Sequence, residues 1–384
     1  MVLDESLWDV LFVEDFKGEL VQKVSDFFNS HFPEVFWPSC TPEEFEWKLG
    51  ESNPAGRGMM AVAVYGNTIA GVITATRKKV LVDGVPVPSA ELGDTYTHPS
   101  FRNIGRCREL APGTSSRDDY LNKSVFGRLA MELLSRLDDE GLDLAYGTPS
   151  REVVRDTWCR RNRCVEMSGL DIRTWHRPGL VALQQRLPPG FGRIAHAGLS
   201  LLLKSHQLAG GPTIEIESFA LAKQIPESVL TSVDALWETR RSQAGITLVQ
   251  DRDYISHRYA LHPSQSYQGH LIRRDGGEVG LVVTRRLGRA SGKRTLCVAD
   301  WLLREDEPAS TLERVISRLA TTVEPVESLS LWTDCRFLSR KALRRMGFFQ
   351  SGNIFVVAAK INRGTAIGLE QHAWDLRIGW SDNV

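Results

Sequence analysis

Two stretches of this chain read alike and lie about 200 residues apart, and that repetition limits the fold more than any other feature of the sequence. YGNTIAGVI at 65–73 parallels DGGEVGLVV at 275–283, each a turn followed by an apolar run. A duplicated topology is the simplest reading, and 384 residues suit two domains of about 150 residues or more each. Around the first stretch, MMAVAVY (59–65), the turn Gly66-Asn67 and TIAGVITAT (68–76) predict two antiparallel strands. KVLVDGVPV (79–87), with Asp83-Gly84 at its turn, and AELGDTYTHP (90–99) extend this to about four consecutive strands. SVFGRLAMELLSRL (124–137) sets Phe126, Leu129, Leu133 and Leu137 on one helical face, LDLAY (142–146) is a buried strand, and Ser150 with Glu152 starts another helix.

The second half repeats the order with GHLIRR (269–274), EVGLVVTRR (278–286), KRTLCVADWLL (293–303), a helix near 310–321, SLSLWT (328–333), a helix near 337–346 and IFVVAAKI (354–361). Between the halves, residues 178–212 hold Pro188-Pro189-Gly190 and Gly210-Gly211-Pro212 around an apolar stretch, which reads as a linker with its own packed helix. The expected domains are 1–185 and 186–384, of α/β class with mixed sheets.

Composition removes whole classes of function. Lys plus Arg and Asp plus Glu both total 47, so no net field holds a nucleic acid or an anionic membrane, and neither partner is expected. The six cysteines form no CxxC pair, which points away from zinc or a disulfide framework and suits a reduced cytoplasm, with no metal site. Acids at Asp4, Glu5, Asp9, Glu14 and Asp15 do not make a basic leader, and no apolar run approaches the roughly 18 residues of a membrane span.

The segment YTHPSFRNIG (96–105) runs a strand into Arg102 and, three residues on, Gly105. With hairpin, strand, helix, strand and helix in this order, it resembles the acyl-CoA signature of the GNAT N-acetyltransferase superfamily, and GDTYTHPSFR (93–102) looks like a THPxxR variant of it. The copy is partial, because residues 106–123 intervene before the helix. The resemblance implies two tandem GNAT-like domains and acetyl-CoA as co-substrate. Pyrophosphate would lie on the amides of Ser124, Val125, Phe126 and Gly127, since a helix N-terminus offers unpaired N–H groups and a positive dipole end. Tyr96 and Thr97 would line the cofactor, and Arg102 with Gly105, and in reserve Arg106 or Arg108, would serve the phosphates.

Direct attack by an amine requires a base or ordered water in reach of it. Glu91 sits near where many GNAT members carry a base glutamate, and otherwise reads as an exposed edge acid. Asp94, by strict alternation, points to the opposite face and otherwise reads as a turn or bulge acid beside Gly93. His98 stands in reserve as a titratable group, with a turn hydrogen bond as its other role. Trp158 occupies about the place of the family's proton-donating tyrosine and cannot serve as one, which leaves solvent or Tyr146. REDEPAST (304–311) carries no glycine, so the second copy is expected to be degenerate toward CoA. The C-terminal strand and the tail WDLRIGWSDN (374–383) are candidates to cross onto the first domain, with Trp374, Trp380 and Asp382 toward acceptor or simply packed. The whole pattern resembles tandem GNAT proteins that acetylate nucleotide-linked amino sugars. An aminoglycoside-type acetyltransferase and a non-catalytic acyl-CoA scaffold are the alternatives, and a homodimer is left open.

Overall fold

The computed structural model describes residues 8–31, 40–102, 124–161, 164–167, 170–208, 213–242, 245–288, 294–322, 327–334, 337–361 and 374–375. These fall into two compact units, one taking the described residues up to 167 together with 355–361, the other 170–354 together with 374–375.

The first unit is built on β1 (Trp8–Phe12), β2 (Met59–Tyr65), β3 (Thr68–Val82), β4 (Val85–Thr97), β5 (Leu144–Gly147), β6 (Val165–Glu166) and β15 (Val357–Lys360). Their order is β1-β2-β3-β4-β5-β15-β6, antiparallel throughout except for the parallel pair β4–β5. The sheet is buried on both faces, which is why β2 reads as an unbroken apolar run. One face takes α3 (Val125–Asp139), whose Val125, Leu129 and Leu133 pack on Ile73, Ala75, Ala90 and Leu92. The other takes α1 (Glu19–His31) and α2 (Pro42–Leu49), with Val21, Val24, Phe28 and Phe45 on Met60, Val62 and Val72. A helix α4 (Glu152–Arg161) follows β5.

The stretch 79–87 is not a strand of its own. It is the far end of one long β3–β4 hairpin, turned at Asp83 (φ 50°) and Gly84 (φ 79°), because the pairing runs without a register shift from Thr74 opposite Gly93 to Val82 opposite Val85. β1, α1 and α2 precede everything read from the sequence, although Val21, Val24, Phe27 and Phe28 carry helical spacing.

The second unit repeats this order. Its strands are β7 (Ile172–Arg177), β8 (Glu215–Leu221), β10 (Tyr267–Arg274), β11 (Gly277–Gly288), β12 (Arg294–Leu303), β13 (Ser328–Asp334) and β14 (Phe349–Asn353). They run β8-β10-β11-β12-β13-β7-β14, with β12–β13 as the parallel pair. The helices are α5 (Leu180–Arg186), α6 (Phe191–Leu208), α7 (Glu227–Arg240), α8 (Arg252–Ile255), α9 (Ala309–Thr322) and α10 (Arg340–Arg345). The short strand β16 (Trp374–Asp375), with Trp374 buried, pairs β9 (Ile246–Leu248), so this tryptophan is a packing residue; Trp380 and Asp382 lie outside the described residues.

The sixth place in each sheet is filled from the other half of the sequence. β15, late in the chain, lies between β5 and β6, and β7, early in the chain, lies between β13 and β14. The contact-defined division therefore does not coincide with a single boundary near 185: residues 170–185 belong to the second unit and 355–361 to the first. A chain cut at 185 would strip β15 from the first sheet and leave the edges of β5 and β6 bare.

Candidate functional site

The site is made by the point where β4 and β5 part. Their parallel pairing runs over Ser89–Leu144, Ala90–Ala145 and Glu91–Tyr146 and ends there, while β4 continues to Thr97. On its other side β4 stays paired to β3, with Val72 opposite Tyr96 and Thr74 opposite Gly93, so β4 holds one residue more than β3 across this step. That is a β-bulge, and Asp94 takes it at φ 39°, a left-handed conformation that aspartate tolerates better than most residues. Beyond Glu91 β4 makes no ladder with β5, although the Gly93 carbonyl accepts from Thr95 Oγ1 at 3.2 Å.

The bulge also changes which way the acids point. Alternation would place Glu91 and Asp94 on opposite faces, but the added residue restores them to one face, that of Thr74, Thr76 and Lys78 beneath α1 and α2. Glu91 is 1% exposed and its carboxylate pairs with Lys78 Nζ at 3.2 Å, so it is an interior acid and not an edge one. Asp94 pairs with Lys48 of α2 and accepts from Thr74 Oγ1 at 2.9 Å. Two buried lysines thus face two buried carboxylates, and neither basic partner was picked out in the sequence. Lys78 lies two residues along β3 from Thr76, which pairs with Glu91, so a cross-strand count would have found it. Lys48 depends on how α2 docks, which has no local signal.

His98 follows β4 directly and caps the short turn Pro99–Phe101, its Nδ1 accepting from the Ser100 amide at 3.2 Å. Its ring packs against Phe27, His31 and Phe101, and burial, with His31 and Arg102 nearby, pulls its pKa below the usual histidine range. The Arg102 guanidinium lies 4.9 Å over the Tyr96 ring, and Arg102 Nε donates to the Thr97 carbonyl at 3.0 Å. Gly105, Arg106 and Arg108 lie outside the described residues.

The first turn of α3 meets the end of β4 at Gly71. A Cβ on Gly71 would sit 2.8 Å from Val125 Cγ1, 3.0 Å from Leu129 Cδ1 and 3.1 Å from the Tyr96 carbonyl, so only glycine lets the helix start this close to Tyr96 and Thr97. Ser124 is the N-cap, and its Oγ accepts from the Gly127 amide at 3.0 Å. The amides of Val125 and Phe126, in the first turn, have no carbonyl of their own helix to bond. Phe126 meets Trp158 edge to face at 5.2 Å. Trp158 is buried in the α3-side core, so it is a packing residue. Among the described residues, no cluster of three or more His, Cys, Asp or Glu is arranged to hold a metal ion.

A sheet of seven strands in this order, with one parallel pair that ends just before a bulge and a helix start nearby, defines a GNAT-like domain, and this chain contains two of them in tandem. Comparison with solved structures agrees. A tandem GNAT protein from the clavulanic acid biosynthesis pathway matches with a TM-score of 0.56 and 11% identity over 93% of this chain and 100% of its own. The N-myristoyltransferase of Saccharomyces cerevisiae, solved with bound myristoyl-CoA, matches at 0.59 and 13% over 96% and 88%. A GCN5-related N-acetyltransferase from Anabaena variabilis matches at 0.55 and 9% over 92% and 73%. No protein-family model matches the sequence, and no curated protein matches it.

Proposed function

We propose that the first unit binds an acyl-CoA and transfers its acyl group to the amine of a small acceptor, acetyl being the group and a nucleotide-linked amino sugar the acceptor that the sequence resemblance favours. The observation that carries this reading is the end of the β4–β5 ladder at Glu91, where the two strands part beside the N-terminus of α3. An extended pantetheine arm fits a strand edge, and a pyrophosphate fits the amides of Val125 and Phe126 at a positive dipole end. The thioester supplies an activated carbonyl: the C–N bond forms as the C–S bond breaks, thiolate leaves with CoA, and the amine gives up a proton. Glu91, at the last paired residue before the strands part, is the group to take that proton, with Lys78 positioning it. Asp94, held by Lys48 and Thr74, fixes the bulge.

Calorimetric titration with acetyl-CoA and with desulfo-CoA tests the reading and is expected to give one equivalent per chain. Glu91→Gln should leave that affinity in place while lowering the transfer rate about 100-fold. Absence of binding removes the acyl-CoA reading, and binding without turnover on any amine leaves an acyl-CoA scaffold.

A further inference from the structure

The second unit carries an apolar face that nothing described in the chain covers. α6 is pinned on its inner side: Leu199 and Leu203 are buried, Gln207 Nε2 donates to the Ser317 carbonyl of α9, and Arg314 of α9 donates to the Gln207 carbonyl. A Cβ on Gly192 would lie 2.8–2.9 Å from atoms of Gln184, so α5 and α6 close into a tight helical hairpin. The outer side of the same helix is apolar and open. Ile194 is 68% exposed, Leu201 67% and Phe191 59%, at helical spacing, with Leu202 beside them and Leu187 in the turn before.

Charge around this face identifies what covers it. From residue 172 to residue 214 the sequence has no Asp or Glu, where a stretch of that length would ordinarily hold about five at the chain's own average. Arg186, Arg193 and Lys204 are exposed on and beside the apolar stripe. Glu313 of α9 lies toward His206, which is half-buried. The chain's zero net charge therefore hides a segregated cationic, apolar surface. A second copy laid symmetrically on this face would set cations against cations with no acid from residues 172–214 to pair them. No described helix is long and apolar enough to cross a membrane, so the face lies on a surface and does not span one.

We infer that the α5–α6 hairpin docks the protein on an anionic phospholipid bilayer, Phe191, Ile194 and Leu201 entering the interface while Arg186, Arg193 and Lys204 meet headgroup phosphates. This surface is independent of the acyl-CoA site, so either reading can fail alone.

Co-sedimentation of the full chain with phosphatidylcholine vesicles, and with vesicles containing phosphatidylglycerol as well, tests it. Binding is expected only to the anionic vesicles and should weaken as salt rises. Ile194→Asn and Leu201→Asn should each lower the partition about ten-fold or more, and Arg193→Gln or Lys204→Gln about five-fold. Both apolar side chains are two-thirds exposed, so circular dichroism and the melting temperature should stay those of the parent and keep the test clear of unfolding. No sedimentation with anionic vesicles, or binding indifferent to all four substitutions, overturns the proposal. A wild-type dimer that Ile194→Asn dissolves, with no lipid binding, assigns the face to a second copy instead.

Discussion

The two units share one strand order and one bulge, yet the side chains described at their two helix starts differ. In the first, α3 starts behind its Ser124 cap and carries no Asp or Glu in its first turn. In the second, the Glu307 side chain is wholly buried just ahead of α9, accepts from Thr311 Oγ1 at 2.8 Å, and pairs with Arg274 at 2.9 Å and Arg304 at 3.4 Å. The chain's own anion thus lies two residues ahead of α9 and bonds a hydroxyl of its first turn. The bulges diverge too. Val283 pairs with Asp300 and Thr284 with Val298, so Ala299 is the extra residue, and Asp300 beside it is closed off by Gln250, Tyr254, Tyr259 and the Trp301 amide. A duplicated scaffold thus keeps its backbone geometry while the side chains at corresponding places diverge, a buried acid standing just ahead of the helix in the second copy.

The largest effect expected from breaking this contrast is at Asp300. Asp300→Ala removes the acceptor for Tyr259 OH at 2.8 Å, Gln250 Nε2 at 2.9 Å and the Trp301 amide at 2.8 Å, all buried. Gln250 Nε2 keeps the Trp301 carbonyl and Tyr259 OH keeps Tyr254 OH, each at 3.4 Å, so with about 1–3 kcal/mol for each bond weakened the second unit should lose about 4 kcal/mol in denaturant unfolding, with acetyl-CoA affinity unchanged where the protein is folded. A folded Asp300→Ala protein that binds acetyl-CoA more weakly would place a cofactor site in the second unit.

Next comes acid. His270 lies between Ser218 and Thr284, each at 2.8 Å, and burial, with Arg286 a smaller cause, pulls its pKa down to about 4. The folded value lies below the unfolded one of about 6.5, so the unfolded chain takes the proton first. Stability is then fully present above pH 6.5 or so and falls by roughly 3 kcal/mol as pH drops to about 4. Unfolding followed at both ends of that window should show the loss, and His270→Gln should flatten it.

These differences were unequally legible in the sequence. The duplication shows because a turn followed by an apolar run marks hairpins locally, at Gly66-Asn67 and at Asp275-Gly276. The missing glycine in 304–311 shows for the same reason, although the role of Glu307 as the filling anion does not. The common face of Glu91 and Asp94 was hidden because a bulge inverts the period-two count; Gly93-Asp94 in mid-strand was the available signal. The crossing of β15 into the first sheet was among the expectations for the C-terminal strand, whereas β7 went unread, since only long-range pairing decides which sheet a strand completes.

The finest test asks whether phosphate really approaches α3. Ser124 Oγ holds the Gly127 amide, and losing a serine cap costs about 1 kcal/mol, so Ser124→Ala should destabilise the free protein by about that much. A phosphate docked on the first turn competes for the same amide, and would replace the hydroxyl in the variant. With saturating acetyl-CoA the gap between parent and Ser124→Ala in thermal unfolding should therefore shrink toward zero. A gap that stays at its ligand-free size would mean that Ser124 keeps Gly127 in the complex, confining the phosphates to Val125 and Phe126 and setting α3 closer to the self-satisfied start of α9.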